Sequence, residues 1–420
     1  MSILLKGATI VDNKSNYNFI QKDILINDGV ISDIADNINI KASQVINLEN
    51  LHVSRGWMDT SVSFGEPGFE ERETISNGLY TSAASGFTSI LLNPNCFPLV
   101  DNHSSVEFLK RKSKDQTSQI YPIANLTVNS SGEELTSLYD MKTAGAVAFG
   151  DYKKVINDSS MMKIALEYTK TFGGRVISFC QDESLSLNGV INEGLVSTEN
   201  GLKGIPDISE SILIFRDIEI LRYSGGKLHI PFINTKKGVE LIRNAKNEKL
   251  DITASVSISH IVNSDKDILD FDTNFKLNPP LRKSDDISAL KKGLTDGTID
   301  FITSMHEPID EDNKKVVFDD ALPGTIALEC TFGLMLNNFP LEKTIEILTK
   351  KKSVFNIEEK SIEKGEKADL TLFNPDRNYK FTEKHILSTS KNCSFIGKDL
   401  TGIVYGSINN NQITLNDLWT

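Results

Sequence analysis

At ~150 residues per domain, 420 residues allow two or three domains, or one large barrel with a smaller appendage, and a chain of this size buries a core without staples. A hydrophobic content of 39% against 24% charged residues, with ordinary Gly and Pro counts, excludes disorder, collagen and coiled coil. The 45 basic and 57 acidic residues leave a net charge of −12, the wrong sign for a phosphate backbone, so nucleic acid is not an expected partner.

The first fifty residues read as short strands. Ile3 to Leu5 leads to Ala8–Val11, and Asp23–Ile26 turns at Asn27-Asp28-Gly29 before resuming at Val30, a hairpin signal. From Thr88 onward, short β runs alternate with helical patterns. Thr88–Leu92, Ala146–Phe149, Arg175–Ser178, Lys227–Ile230 and Ile299–Ile302 are the strands; Lys237–Lys246 and Ile287–Leu294 are helical. This alternation predicts a parallel α/β barrel or a doubly wound sheet. The last sixty residues return to strands: Asp369–Phe373 is expected to end at Asn374-Pro375-Asp376, and Gly402–Tyr405 precedes a turn around Asn409–Asn411. A β domain made from both chain ends, with a central α/β unit inserted, fits this order.

Cys96, Cys180, Cys330 and Cys393 lack C-x-x-C spacing, which argues against a disulfide scaffold or zinc finger. The Met1–Gly7 segment does not read as a signal peptide, and no run approaches the ~20 apolar residues of a membrane span. A cytoplasmic protein without membrane association is expected.

Barrel chemistry gathers where strands end. The first such end reads Asp59-Thr60-Ser61-Val62-Ser63-Phe64-Gly65-Glu66-Pro67-Gly68. It resembles the Asp-x-His-x-His-x-Arg-x-Pro-Gly element of the dihydroorotase family in the amidohydrolase superfamily. Gly86-Phe87-Thr88 through Asn93-Pro94-Asn95, Lys276 through Asn278-Pro279-Pro280-Leu281-Arg282, and Asp296-Gly297-Thr298-Ile299-Asp300 resemble further family elements, so the likeness spans nearly the whole chain. It implies a TIM-type (β/α)8 amidohydrolase barrel over residues 53–357, with a β-sandwich domain from residues 1–52 and 358–420.

The departures fall on the chemistry. By the resemblance, Ser61 and Ser63 stand where two zinc histidines belong, and Gly65 replaces the arginine that holds the substrate carboxylate. Asp151 matches a metal ligand, but Phe179 and Phe232 replace the remaining histidines. Met305 stands at the final acid and general base, and Ile309 at a substrate-contacting histidine. Asn95 and Asn278 keep the family's substrate-contact residue type. A hydrolytic zinc needs three or four N, O or S ligands plus an open position for water. Serine is a poor ligand, while Phe and Met offer no hard donor, and one carboxylate cannot hold a catalytic zinc. No metal, no cofactor and no catalytic residue are therefore expected.

None of His52, His103, His229, His260, His306 and His385 forms a His-x-His pair that a slipped alignment would hide. Asp151 reads first as a hydrogen-bonded strand-end acid and second as a leftover ligand. Asn95 and Asn278 are expected to make structural hydrogen bonds. Cys180 reads as an inert core thiol, Lys153-Lys154 as solvated surface, and Lys110–Lys112 and Lys350–Lys352 as helix-end charges.

The expected function is that of a dihydroorotase-like pseudoenzyme, a barrel kept for assembly or regulation in pyrimidine biosynthesis. The resemblance implies aspartate carbamoyltransferase as its partner and a homo-oligomeric state. Two alternatives stay open: an active cyclic-amide hydrolase (dihydroorotase, hydantoinase or allantoinase-like) with an unusual metal site, and a small-molecule sensor using the altered cavity.

Overall fold

The computed structural model describes residues 2–268 and 270–420. The chain opens with β1 (Ser2–Ile10), β2 (Gln21–Asn27), β3 (Val30–Ala35), β4 (Gln44–Ile46) and β5 (His52–Arg55). Asp28 and Gly29 both adopt positive φ, 48° and 77°, the backbone that a two-residue hairpin matched to strand twist requires. The barrel half follows as β6 (Trp57–Val62), α1 (Ile75–Ala84), β7 (Phe87–Leu92), α2 (His103–Lys112), β8 (Gln119–Ala124), α3 (Leu138–Ala144), β9 (Ala148–Phe149), α4 (Ser159–Lys170) and β10 (Val176–Ile177). Then come α5 (Glu183–Ser186), β11 (Ile191–Asn192), α6 (Leu195–Glu199), β12 (Gly204–Ile205), α7 (Ile208–Ser224), β13 (Leu228–Ile230), α8 (Lys236–Asn247), β14 (Ile252–Ser257) and α9 (Ile258–Val262). The barrel half ends with α10 (Ser284–Asp296), β15 (Phe301–Thr303), α11 (Glu311–Lys314), α12 (Thr331–Leu336) and α13 (Leu341–Thr349), before β16 (Leu370–Lys380), β17 (Asp399–Asn409) and β18 (Gln412–Leu415).

Eight parallel strands run β6-β7-β8-β9-β10-β13-β14-β15, and a parallel bridge between Val62 and His306 joins the last strand end to the first. This is the (β/α)8 barrel. Its strands are buried on both faces and carry the Val, Ile, Leu and Phe runs that such burial selects. The second sheet runs β18-β17-β16-β5-β1-β2-β3, with β4 on β1. Its apolar faces close on one core that holds Ile24 and Ile26 from the N-terminal strands and Leu372 and Ile403 from the C-terminal ones. That is the β-sandwich built from both chain ends. The chain crosses from sandwich to barrel at Gly56, where a Cβ would lie 2.0 Å from Asp369 Oδ1.

The expectation that the first C-terminal strand ends at Asn374 is corrected. β16 continues to Lys380, and its pairing with β17 jumps from Asn374↔Ile403 to Asn378↔Thr401. The bulge absorbs Pro375, which has no N–H to give the ladder, so the turn-forming triplet kinks the strand without ending it.

Trp57 fastens the two halves together. Its fully buried indole lies 5.8 Å from Phe87 of the barrel, 4.7 Å from Phe332 and 5.9 Å from Phe373 of the sandwich, and Nε1 donates to Ser54 Oγ at 2.9 Å. Trp57→Ala empties a site that rigid neighbours cannot refill. The expected cost is about 3–5 kcal/mol, read as a lowered urea midpoint; an unchanged midpoint would contradict this role.

Candidate functional site

Residues 59, 61 and 63 alternate inward along the first barrel strand and its extension, and each side chain is buried. Asp59 accepts from the Ser61 N–H at 3.0 Å, the Ser304 N–H at 2.9 Å and the Thr303 hydroxyl. Burial pushes its carboxyl up, against the pull of these bonds.

The two serines are held by a residue that the sequence reading did not single out. Asn93, at the end of β7, donates through Nδ2 to Ser61 Oγ at 2.9 Å and to Ser63 Oγ at 3.0 Å. One amide thus satisfies both hydroxyls at the positions the resemblance assigns to zinc histidines. The signal was its place at a strand end, where barrel side chains converge.

Above this amide sits an aromatic plug. Tyr152, also missed, places its hydroxyl 3.5 Å from Ser63 Oγ. Its ring meets Phe232 edge-on at 6.2 Å, and Phe232 meets Phe179 at 6.4 Å. Lys153 Nζ lies 5.2 Å above the Tyr152 ring and 5.9 Å from Phe232, while donating to Glu307 Oε2 at 2.6 Å. Lys153 was expected at the solvated surface. Instead its side chain is only 10% exposed, because the aromatic faces and the carboxylate replace water around the ammonium. Lys154 is exposed.

Tyr152, Phe232 and Met305 all follow barrel strands in left-handed conformations, with φ of 55°, 54° and 50°. Bulky residues pay roughly 1–3 kcal/mol for such backbone, which persists where surrounding structure over-determines it. Met305 is buried and presents no hard donor to the mouth. The imidazole beside it turns away: His306 Nδ1 accepts from the Ala327 and Leu328 N–H groups at 3.3 and 3.4 Å.

At Gly65 a Cβ would meet the Phe69 carbonyl oxygen at 1.7 Å, so the loop folded over this position admits no side chain, least of all arginine. Ile309 is buried and its N–H goes to Asn392 Oδ1 at 3.1 Å. Asp151 turns toward the segment after β8, accepting from the Leu126 N–H at 2.9 Å, the Thr127 N–H at 3.1 Å and the Thr127 hydroxyl. It is a loop-capping acid, with its carboxyl raised by burial. The structural hydrogen bonds expected of Asn95 and Asn278 are not made: each Oδ1 is buried without a partner. Both lie in loops above the barrel rather than against a strand, which leaves no backbone donor in reach.

Cys180 is buried against Ser178 and Asp217, and burial pushes its thiol well above its ordinary value, the opposite of a reactive cysteine. Lys110–Lys112 end α2. The second lysine run follows the end of α13, with Lys350 at its C-cap. Lys351 pairs with Asp300 at 2.5 Å and Lys352 with Asp369 at 3.0 Å, because these lysines face acids where the last barrel helix turns toward the sandwich.

One cavity of about 20 Å³ is lined by Ser61, Asn93, Tyr152, Ile177, His229 and Phe232. That is room for about one water, against the ~300 Å³ or more of small-molecule sites. A sensing role there would need the plug to move. Among the described residues, no group of three or more His, Cys, Asp or Glu side chains is placed to hold a metal ion. The residues present do not fit a catalytic zinc.

His229 faces the barrel interior, bonded at 3.0 Å to Thr253 Oγ1 and 3.2 Å to Ser255 Oγ, while His260 Nε2 donates to the Pro279 and Pro280 carbonyls. Burial lowers His229 to about 3, and His260 and His306 each to about 4. Glu210 caps α8 by accepting from the Asn234 and Thr235 N–H groups and is raised by burial to about 7. An imidazole with a depressed folded pKa stabilises above its unfolded value near 6.5 and loses that contribution as pH falls. A carboxyl with a raised folded pKa contributes below 4.5, and this is lost as pH rises to 7. His229→Asn should therefore flatten the rise of stability between pH 4.5 and 6.5 by up to about 1.4 kcal/mol per pH unit, and Glu210→Gln should steepen it. Urea midpoints across this window measure both; equal slopes in all three proteins would refute the assignment.

Residues 52–238 match the family model described as Dihydro-orotase-like. The chain is 36% identical to "Dihydroorotase" of Pelotomaculum thermopropionicum, over 99% of both chains. It is 38% identical to "Dihydroorotase" of Acetivibrio thermocellus, again over 99% of both. Among solved structures, L-hydantoinase (dihydropyrimidinase) from Arthrobacter aurescens superposes with a TM-score of 0.84 at 20% identity, covering 98% of this chain and 95% of that one. D-hydantoinase (dihydropyrimidinase) from Thermus sp. gives 0.81 at 17% identity, covering 99% and 95%.

Proposed function

The chain belongs to the dihydroorotase family, and from that membership together with the rebuilt mouth we propose that it is a pseudoenzyme of pyrimidine biosynthesis, kept as a structural or regulatory partner. The observation that carries this reading is the set of side chains at the ligand positions. Ser61 and Ser63 are satisfied by one amide, Phe179 and Phe232 pack edge to face, and Met305 is buried. A zinc-bound hydroxide needs three or four donors converging on one point, and this mouth converges carbon instead. The partner that the family likeness suggests is aspartate carbamoyltransferase.

The second reading is an active cyclic-amide hydrolase, a dihydroorotase or a hydantoinase-like enzyme with an unusual metal site. What favours it is the name shared by relatives 36% and 38% identical over 99% of the chain. Metal analysis paired with a dihydroorotase assay separates the two. The first reading expects substoichiometric zinc and no turnover that a chelator removes. Stoichiometric zinc with chelator-sensitive hydrolysis would establish the second. The partner role has its own check: the chain should co-elute with aspartate carbamoyltransferase of the same organism, and a carbamoyltransferase that assembles and works equally well without it would end that role.

A further inference from the structure

Arg55 stands one residue before Gly56, where the chain enters the first barrel strand, so it lies at the end of the barrel opposite the mouth. A cavity of about 280 Å³ opens there between the loop after β1 and the last barrel helix, α13, close to the lower bound of small-molecule sites. Val11, Pro340 and Ile345 supply its apolar wall.

Its polar groups are unevenly spent. The Arg55 side chain is only 8% exposed; Nε lies 2.9 Å from Asp12 Oδ1, and Nη2 donates to Thr349 Oγ1 at 3.2 Å. Nη1 makes no hydrogen bond among the described residues, and its contact with Glu359 Oε2 is 3.8 Å long. A buried guanidinium with idle N–H groups is costly unless an acceptor docks on it. Asn18 Oδ1 accepts from the Asp12 N–H at 2.9 Å, while its Nδ2 and the Asn13 amide have no partner among the described residues. Asp12 is satisfied by Arg55 and by the Lys14 and Ile362 N–H groups, and Glu346 by Lys343 and Lys350. The uncompensated acid is Glu342, exposed in the first turn of α13. Glu342 and Thr349 share one helix face two turns apart, about 10 Å at 1.5 Å per residue. The cavity thus has a cation at its buried end, an acid at its rim and an apolar wall between.

We propose that it binds an elongated ω-amino acid, with the carboxylate on Arg55 and the ammonium toward Glu342. A carboxylate matches the planar fork of guanidinium donors, and the two asparagine amides offer further donors. A phosphate dianion would bring a second charge among Asp12, Glu342 and Glu346 with no unspent cation to meet it. The inference does not rest on whether the barrel mouth is catalytic.

Isothermal titration calorimetry of the full-length chain with ε-aminocaproate and caproate tests it. The wild type should bind ε-aminocaproate, and caproate about threefold more weakly; Glu342→Gln should remove that difference and leave caproate unchanged. Arg55→Lys keeps the charge but loses the fork, and should weaken both at least about tenfold. Asn13→Trp, at an exposed loop position clear of the Arg55 contacts, should block the cavity and abolish binding with the urea midpoint unchanged. A wild type that does not bind millimolar ε-aminocaproate, caproate binding as tightly as ε-aminocaproate, or binding that survives both Arg55→Lys and Asn13→Trp would overturn the proposal.

Discussion

The barrel mouth is organised by one carboxylate that never meets water. Asp59 collects two backbone N–H groups and a hydroxyl, one from its own strand and two from the segment ending β15, so the first and last strands of the barrel are joined through a side chain. A carboxylate buried without such donors would cost several kcal/mol, and with them it fixes the donors as firmly as they fix it. Everything downstream inherits its geometry from this junction. Ser61 shares the strand that Asp59 anchors, and Ser304, held by the same carboxylate, precedes the left-handed Met305.

On that frame, the side chains at the mouth follow the ordinary rules of burial. Buried polar atoms need partners, and the Asn93 amide supplies them to both serines. Aromatic rings bury area and prefer edge-to-face contacts, and Tyr152, Phe179 and Phe232 meet in that way over the amide. An ammonium near the rings is tolerated because Glu307 and the ring faces replace its water. Each of these side chains is locally consistent with its neighbours, which is the mark of a settled core.

The architecture was legible because it rests on signals that are local and redundant. The Asn27-Asp28-Gly29 triplet gave a hairpin since two positive-φ residues were already written there, and alternating strand and helix runs announced the parallel sheet. Pro375 misled because a proline inside a strand and a proline ending one look alike until the partner strand is known; the bulge opposite Asn378 is a property of the pair. At the site, the residue types at the positions marked by the resemblance could be read one by one, whereas the contacts they make could not. Asn93 and Tyr152 matter through contacts 30 and 89 residues away in the chain, and no spacing rule reaches that far. Lys153 looked solvated because lysine usually is, and only the assembled rings and Glu307 make burial affordable. Asn95 and Asn278 went the other way: polar loop residues usually find a backbone donor, and these find none.

Likeness over the whole chain does not by itself fix the chemistry of the mouth, because fold and site are carried by different atoms. Identity of 36% over 99% of the length constrains the backbone through many small terms: strand burial, caps, the Asp59 junction, the Trp57 contact between domains. The chemistry of a barrel mouth depends on a few side chains, and a change in those few leaves nearly all of those small terms in place. The left-handed residues at three strand ends illustrate the separation. Their backbone strain is of the kind that collects at functional sites, yet here two of them, Tyr152 and Phe232, present a phenol and a phenyl ring to a space the size of one water. Global similarity therefore reports the shape of this mouth, and its chemistry has to be argued from the side chains that fill it.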